Sequence, residues 1–325
     1  MKKSNTLLFA FLTSLTLTPS AVAQEVDSWP AKHVQIIVPF AAGSLTDIAA
    51  RAIANQLTQQ LNQPFVIENK GGAGGTIGTN TVAKAPADGY TLVFTDSSFM
   101  ISAALYPKLP YDPFKDLLPV TLAVEAPAVM IVRTNLAVSN VRDFVAMAKA
   151  KPSELNFGSG GIGSSGHLST ELFMSQTGTK MVHIPFKGVG AAITEIIANR
   201  LDLALPSLGA AAGQIRNGTV KPLAVTGNQR VAAYPDIPTF SQAGYPDFDV
   251  SFRFGFLAPS STPPAIISRL QNEIAKALQH PQLQQFLATQ GATGIDIRTS
   301  AYSQIIAREI GVWRGVIQKA GIKAD

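Results

Sequence analysis

The chain has 325 residues, no cysteine, and 26 basic against 21 acidic side chains. Without cysteine there are no disulfides, no thiolate metal ligands, no cysteine nucleophile and no lipid-attachment cysteine of a bacterial lipoprotein. The basic excess is scattered and never interleaved with aromatics, which argues against nucleic acid as a partner, while a mild positive bias suits a small anionic ligand.

The first 23 residues read as an export signal. Lys2 and Lys3 form its positive end, residues 7–17 its apolar stretch, and Ala21-Val22-Ala23 a small-x-small cleavage site before Gln24. The apolar stretch is short of the ~20 residues a membrane span needs. Cleavage after Ala23 would leave 24 basic and 21 acidic residues. Signal and missing cysteine together predict a free protein of the bacterial periplasm.

From there strand-like and helix-like patterns alternate. Residues 33–39 read as a buried strand. Over residues 46–61, Ile48, Ala49, Ala52, Ile53, Gln56 and Leu57 recur at helical spacing. Strands over 65–68 and 90–95 flank a short helix over 76–83. Four prolines between 107 and 119 break the rhythm, and the following strand, 120–132, is long and interrupted at Pro127. It reads as a crossing between two lobes. Helices over 141–151, 168–176 and 191–199 then alternate with strands over 156–158, 182–186, 201–205 and 223–225. After an irregular stretch over 235–248, residues 254–259 read as the strand returning to the first lobe. Long helices begin at Pro263, capped by Thr262, and at Thr299, capped by Arg298–Thr299. Such alternation predicts an α/β fold with mixed, mostly parallel sheets. Its two crossings, near 120–128 and 226–252, would form a hinge. Residues 24–125 with 250–325 would be one discontinuous domain and 126–249 the other.

Three glycine-rich turns follow strand-like runs: Ala41-Ala42-Gly43-Ser44, Gly71-Gly72-Ala73-Gly74-Gly75 and Gly158-Ser159-Gly160-Gly161-Ile162-Gly163. Turns of this kind leave backbone N–H groups free at helix N-termini, where they attract anions. The third also satisfies G-x-G-x-x-G. The acidic residue a dinucleotide site needs after the next strand is missing, however, and Lys187-Gly188 stands there instead. Ser159, Ser164 and Ser165 add hydroxyls that bind carboxylate or phosphate, or simply cap the next helix. His167 is a packing or capping residue or a catalyst. No G-x-S-x-G elbow surrounds any of these serines, and His33, His167, His183 and His280 offer no metal-spaced pair. Asp47 sits where a helix dipole favours it and where it would also reach a ligand. Asp96 and Ser97–Ser98 follow the third strand, at the sheet edge where α/β folds bind ligands. Arg253 stands in the apolar run from Val250 to Phe256 and, if buried, needs either a salt bridge or a ligand carboxylate.

Taken in order, several motifs resemble the Bug family of extracytoplasmic receptors for tripartite tricarboxylate transporters. They are Trp29-Pro30, Ile36-Ile37-Val38-Pro39-Phe40, Glu68-Asn69-Lys70-Gly71-Gly72-Ala73-Gly74-Gly75 and Ala83-Lys84-Ala85-Pro86-Ala87-Asp88-Gly89-Tyr90-Thr91-Leu92. Leu105-Tyr106-Pro107-Lys108-Leu109-Pro110-Tyr111-Asp112-Pro113, His183-Ile184-Pro185-Phe186-Lys187-Gly188 and Gly255-Phe256-Leu257-Ala258-Pro259 continue the series. The resemblance implies a two-lobed, type II-like periplasmic binding protein. It would close over an organic carboxylate, pass it to membrane permease subunits, and do so as a monomer with no cofactor, metal or chemistry of its own.

On this resemblance the ligand is held by residues 40–47, including Phe40, Ala42, Gly43, Ser44 and Asp47. Residues 158–167 and the segments after Phe186 and Leu205, with Lys187, Gly188, Pro206 and Ser207, would hold it from the other lobe. The chain departs from the family where adjacent glycines are usual, having Gly43-Ser44. It has Pro206-Ser207 where many relatives place aspartate, and Arg253 where an aromatic is common. Losing a carboxylate and gaining a guanidinium predicts a di- or polycarboxylate, aromatic acids included, rather than an amino acid. A periplasmic serine hydrolase and a ligand-binding input to a membrane sensor are the alternatives.

Overall fold

The computed structural model describes residues 29–323; the expected export signal lies outside the described residues. The first strand, β1 (Val34–Val38), leads to α1 (Leu45–Leu61), β2 (Phe65–Asn69), one 3-10 turn (Ala73–Gly75) and α2 (Thr76–Ala83). Next come β3 (Thr91–Thr95), α3 (Ser98–Leu105) and the long β4 (Leu117–Pro127), which runs straight into β5 (Val129–Val132). Then follow α4 (Val141–Ala150), β6 (Asn156–Ser159), α5 (Ser165–Thr177), β7 (Val182–Pro185) and α6 (Val189–Ile197). After these stand β8 (Leu203–Ala204), α7 (Leu208–Arg216) and β9 (Lys221–Val225). The last elements are β10 (Ser251–Pro259), α8 (Pro264–Gln279), α9 (Pro281–Thr289), β11 (Thr293–Arg298) and α10 (Thr299–Ala320).

These strands build two sheets, ordered β11-β4-β10-β3-β1-β2 and β7-β6-β8-β5-β9. The chain passes from the first to the second at Ala128, between β4 and β5, and returns between β9 and β10. Both sheets are mixed, but the expectation of mostly parallel pairing is corrected. Only β1–β2, β1–β3, β6–β7 and β6–β8 run parallel. The crossing strands β4, β5 and β10 pair antiparallel throughout. The physical reason is connectivity: a strand arriving from the other sheet has no helical crossover behind it, so nothing forces it parallel. Each sheet buries its own apolar face, with Ile36, Phe94 and Phe256 under the first and Ile131, Ile193 and Leu208 under the second.

Several elements were not legible in the sequence. The α3 segment is apolar on nearly every side, with Phe99, Met100 and Ile101 all buried, so it lacks the one-sided stripe of a surface helix. Small residues dilute the period of α7, and β11 is a short outer strand interrupted by Gly294. Thr262 does not cap α8. Its hydroxyl donates to the Pro259 carbonyl at 2.7 Å, and Pro263 holds the cap position.

At the crossings, the buried Thr226 hydroxyl accepts from Ala128 N–H at 2.8 Å and donates to Val250 C=O at 2.6 Å. Its own N–H donates to Ala128 C=O at 3.0 Å. One side chain thus ties the outgoing crossing to the returning one. Thr226→Val keeps the shape but strands a buried N–H and C=O, so it is expected to cost about 1–3 kcal/mol, read from urea unfolding. An unchanged midpoint would show that water replaces the hydroxyl.

Candidate functional site

Between the sheets lies a cleft of about 870 Å³. Its rim is backbone. Residues leading into α1, α5, α6 and α7 line it, together with the turn from Gly71 to Gly75. Four helix N-termini therefore face one space, each presenting first-turn N–H groups and the positive end of a dipole. Phe40, Tyr106, Phe186, Phe252 and Phe254 supply apolar and aromatic wall. Among the described lining residues, Asp96 and Lys187 carry the only formal charges.

Each of these termini is set by local chemistry. Ser44 caps α1, its hydroxyl accepting from Asp47 N–H at 3.2 Å. Gly43 adopts φ +81°, a left-handed backbone that glycine tolerates, and its N–H donates to Asp47 Oδ2 at 3.0 Å. Asp47 Oδ1 takes Asn69 Nδ2 and Arg51 Nε, both at 2.9 Å. Burial pushes the Asp47 carboxyl upward, but the bonds from Arg51, Gly43 and Asn69 outweigh it and hold the group below the usual carboxylate range. With both oxygens engaged, Asp47 braces the loop from behind and does not line the cleft.

The loop before α5 is braced the same way. Ser164 caps the helix, and His167 Nδ1 accepts from Gly163 N–H at 3.3 Å. Ser159 Oγ donates to Gly161 C=O at 3.0 Å, accepts from Gly161 N–H at 3.1 Å, and lies 2.7 Å from His183 Nε2. The hydroxyl proton has two acceptors within reach, Gly161 C=O and His183 Nε2, and the tautomer of His183 decides which one takes it. The His167 and His183 rings stack at 3.9 Å. Burial and the neighbouring His167 lower His183 to about 3. In contrast, α6 starts at Gly188, with φ +110°, and α7 at Ser207, neither with a side-chain cap bond. Their first-turn N–H groups meet no capping side chain.

On the other wall, Asp96 ends β3 and its Oδ1 accepts from Ser98 N–H at 2.8 Å. Ser98 Oγ meets Ser165 Oγ at 3.1 Å and accepts from Ser165 N–H at 3.2 Å, so this contact spans the two sheets. Burial raises Asp96 to about 6, against the lowering effect of the Ser98 and Ser165 donors.

Of the residues anticipated from sequence, Phe40, Ala42, Gly43, Ser44, Asp96, Ser164, Ser165, Lys187, Gly188, Pro206 and Ser207 line this cleft. Asp47, Ser97, Ser159, Gly163, His167 and Arg253 do not. Ser97 is buried and accepts from Arg253 N–H at 3.0 Å, tying the end of β3 to β10. Arg253 is the main correction. Opposite Glu125 in the β10–β4 register, it pairs with Glu125 at 3.0 Å and with Glu309 of α10. Strand alternation turns its neighbours Phe252 and Phe254 to the cleft instead. That period of two was present in the sequence and would have found both phenylalanines. Ser98, anticipated beside Asp96 at the end of the third strand, lines the cleft, as do Asn69 and Tyr106, which stood in the family motifs without a role.

A family model described as the tripartite tricarboxylate transporter family receptor matches residues 49–322. The chain belongs to this family. It is 37% identical to the Bordetella pertussis protein BugT over 305 residues, covering 93% of this chain and 94% of that one. Among solved structures, the R. palustris receptor Rpa4515 with adipate superposes with a TM-score of 0.87 at 34% identity, covering 91% and 99% of the two chains. The periplasmic binding protein BugD gives 0.85 at 31%, with the same coverage. Among the described residues of this receptor, no helix is long and apolar enough to cross a membrane.

The histidine pair makes a pH prediction. His183 moves from an ordinary value of 6.5 when unfolded to about 3 when folded. The unfolded chain therefore binds the extra proton first, and stability present above 6.5 falls as pH drops toward 3. His183→Gln can still donate to Ser159 but cannot titrate. Urea unfolding of this variant is expected to lose less stability than the parent over that window, and equal slopes would refute the assignment.

Proposed function

We propose that this protein is a periplasmic receptor that captures an organic carboxylate between two lobes and delivers it to a tripartite tricarboxylate-type membrane transporter. The observation carrying the reading is the convergence of four helix N-termini on one cleft, which supplies N–H donors for a carboxylate without a dedicated cationic partner. The lobes would be residues 24–125 with 250–325, and 126–249, hinged at the segments that Thr226 ties together. Closure would expel water and strengthen each bond to the anion.

Capture rather than turnover is supported by the Ser159–His183 pair, neither member of which lines the cleft. A second carboxylate on the ligand is favoured by Lys187 on the rim and by the relative solved with adipate. Arg253, committed to Glu125 and Glu309, no longer contributes to that argument. The aromatic walls also suit an aromatic acid.

Refolded, ligand-free protein should melt higher with a cognate acid, since a ligand at 100 times its Kd adds about 2.7 kcal/mol to the folded state. A thermal-shift screen of mono- and dicarboxylates, aromatic acids, amino acids and amines is expected to respond to one class of acids. Mass analysis afterwards should recover the acid unchanged. No shift with any acid would remove the receptor reading, and a hydrolysed ligand would replace it with catalysis.

A further inference from the structure

A receptor for organic acids carries an acid of its own in the binding cleft. Asp96 lies at the carboxyl end of β3, partly exposed to the space that Lys187 faces from the rim. It is also locked in place, with Oδ1 on Ser98 N–H and the Ser98 and Ser165 hydroxyls beside it. An ionised carboxylate only accepts hydrogen bonds, whereas a protonated one also donates. Two ionised carboxylates facing each other in a partly desolvated cleft repel, and one of them then retains a proton.

Resting on the reading above, we propose that Asp96 determines ligand specificity. It selects organic acids whose chain brings a hydrogen-bond donor such as a hydroxyl against it, and admits a second carboxylate only together with one proton. The backbone N–H groups of the helix termini hold the first carboxylate, and Asp96 reads the group at the other end.

The surroundings of Asp96 leave the proton to it. From α3 it meets Ser98, with Tyr106 at the cleft wall; from α5 it meets Ser165, with His167 turned back toward Gly163. From α10 the fully buried Tyr302 lies near, its phenol raised by burial and by the negative charges of Glu309 and Asp96. Glu309 is itself raised by burial, though Arg253 opposes this, and Arg253 faces Glu309 and Glu125 rather than the cleft. Lys187 is the cation on the opposite rim. With burial already holding Asp96 near 6, a dicarboxylate needs little further cost to keep it protonated.

The test is a matched series in which only the far end of the ligand changes: hexanoate, 6-hydroxyhexanoate and adipate, with butyrate, 4-hydroxybutyrate and succinate as the shorter set. Isothermal titration near pH 5.5 and near pH 7.5, in buffers of different ionisation enthalpy, gives affinity and the number of protons taken up. If only the protonated carboxyl accepts a diacid, linkage predicts binding roughly 20-fold tighter at the lower pH, with about one proton absorbed near pH 7.5. The hydroxy acid is expected to bind more tightly than its unsubstituted partner and to vary little with pH. In Asp96→Asn the diacid should lose its preference for the lower pH.

Diacid binding that is indifferent to pH and takes up no proton overturns the proposal while leaving the receptor reading intact. A pH dependence that persists in a folded Asp96→Asn does the same. If no acid of either set binds at either pH, the proposal falls, and the receptor reading is decided by the wider screen. Should Asp96→Asn fail to fold, the proton count on the unaltered protein decides.

Discussion

The chain passes between its two sheets twice, and the Thr226 hydroxyl holds both passages together. Because that hydroxyl bonds Ala128 on the way out and Val250 on the way back, the two passages keep one placement side by side. Everything in the cleft depends on that placement. The Ser98–Ser165 contact, the facing helix termini and the aromatic walls all require residues from opposite sides of the crossings to stay in register. A binding protein that moves needs flexible crossings, yet a cleft of defined chemistry needs crossings that return to the same place. A short, buried, doubly bonded hydroxyl satisfies both, since bonds of this length tolerate small rotations while the pairing persists.

The cleft works by backbone more than by side chain. Helix dipoles and N–H groups cost little to desolvate compared with a buried guanidinium, which would need its own counter-charge in the empty state. The structure places the charged groups accordingly. Asp47, His167, His183 and Arg253 stand one layer back, holding loops or strands in position. That arrangement separates two tasks, with rigid bracing behind and exchangeable hydrogen-bond donors in front. It also explains why three titratable groups that looked functional in sequence, Asp47, His167 and Arg253, do not line the cleft.

Asp96 is the exception, an acid at the front. Its burial and its bonds to Ser98 and Ser165 place it where the two sheets meet, so its protonation touches both ligand chemistry and the contact across the cleft. The disagreement between this residue and a simple dicarboxylate site is informative. An acid-lined pocket discriminates by what it repels as well as by what it binds.

By itself the sequence determined the alternation of strands and helices, the two crossings and the glycine turns before the helices. These are local properties, set by hydrophobic period, proline and glycine placement, and capping serines, all of which act within a few residues. It also carried the family motifs from Trp29 onward. Which face each side chain occupies was decided only by tertiary structure. The sequence showed Arg253 in an apolar strand, but whether it met a ligand or a carboxylate depended on β4 bringing Glu125 opposite and α10 bringing Glu309 from the far end of the chain. The all-apolar α3 and the small-residue α7 likewise became helices through burial and chain placement rather than a visible stripe. Asp96 was visible as a residue at a strand end, but its raised affinity for a proton arises from burial, which outweighs the Ser98 and Ser165 donors, and burial is a property of the assembled fold.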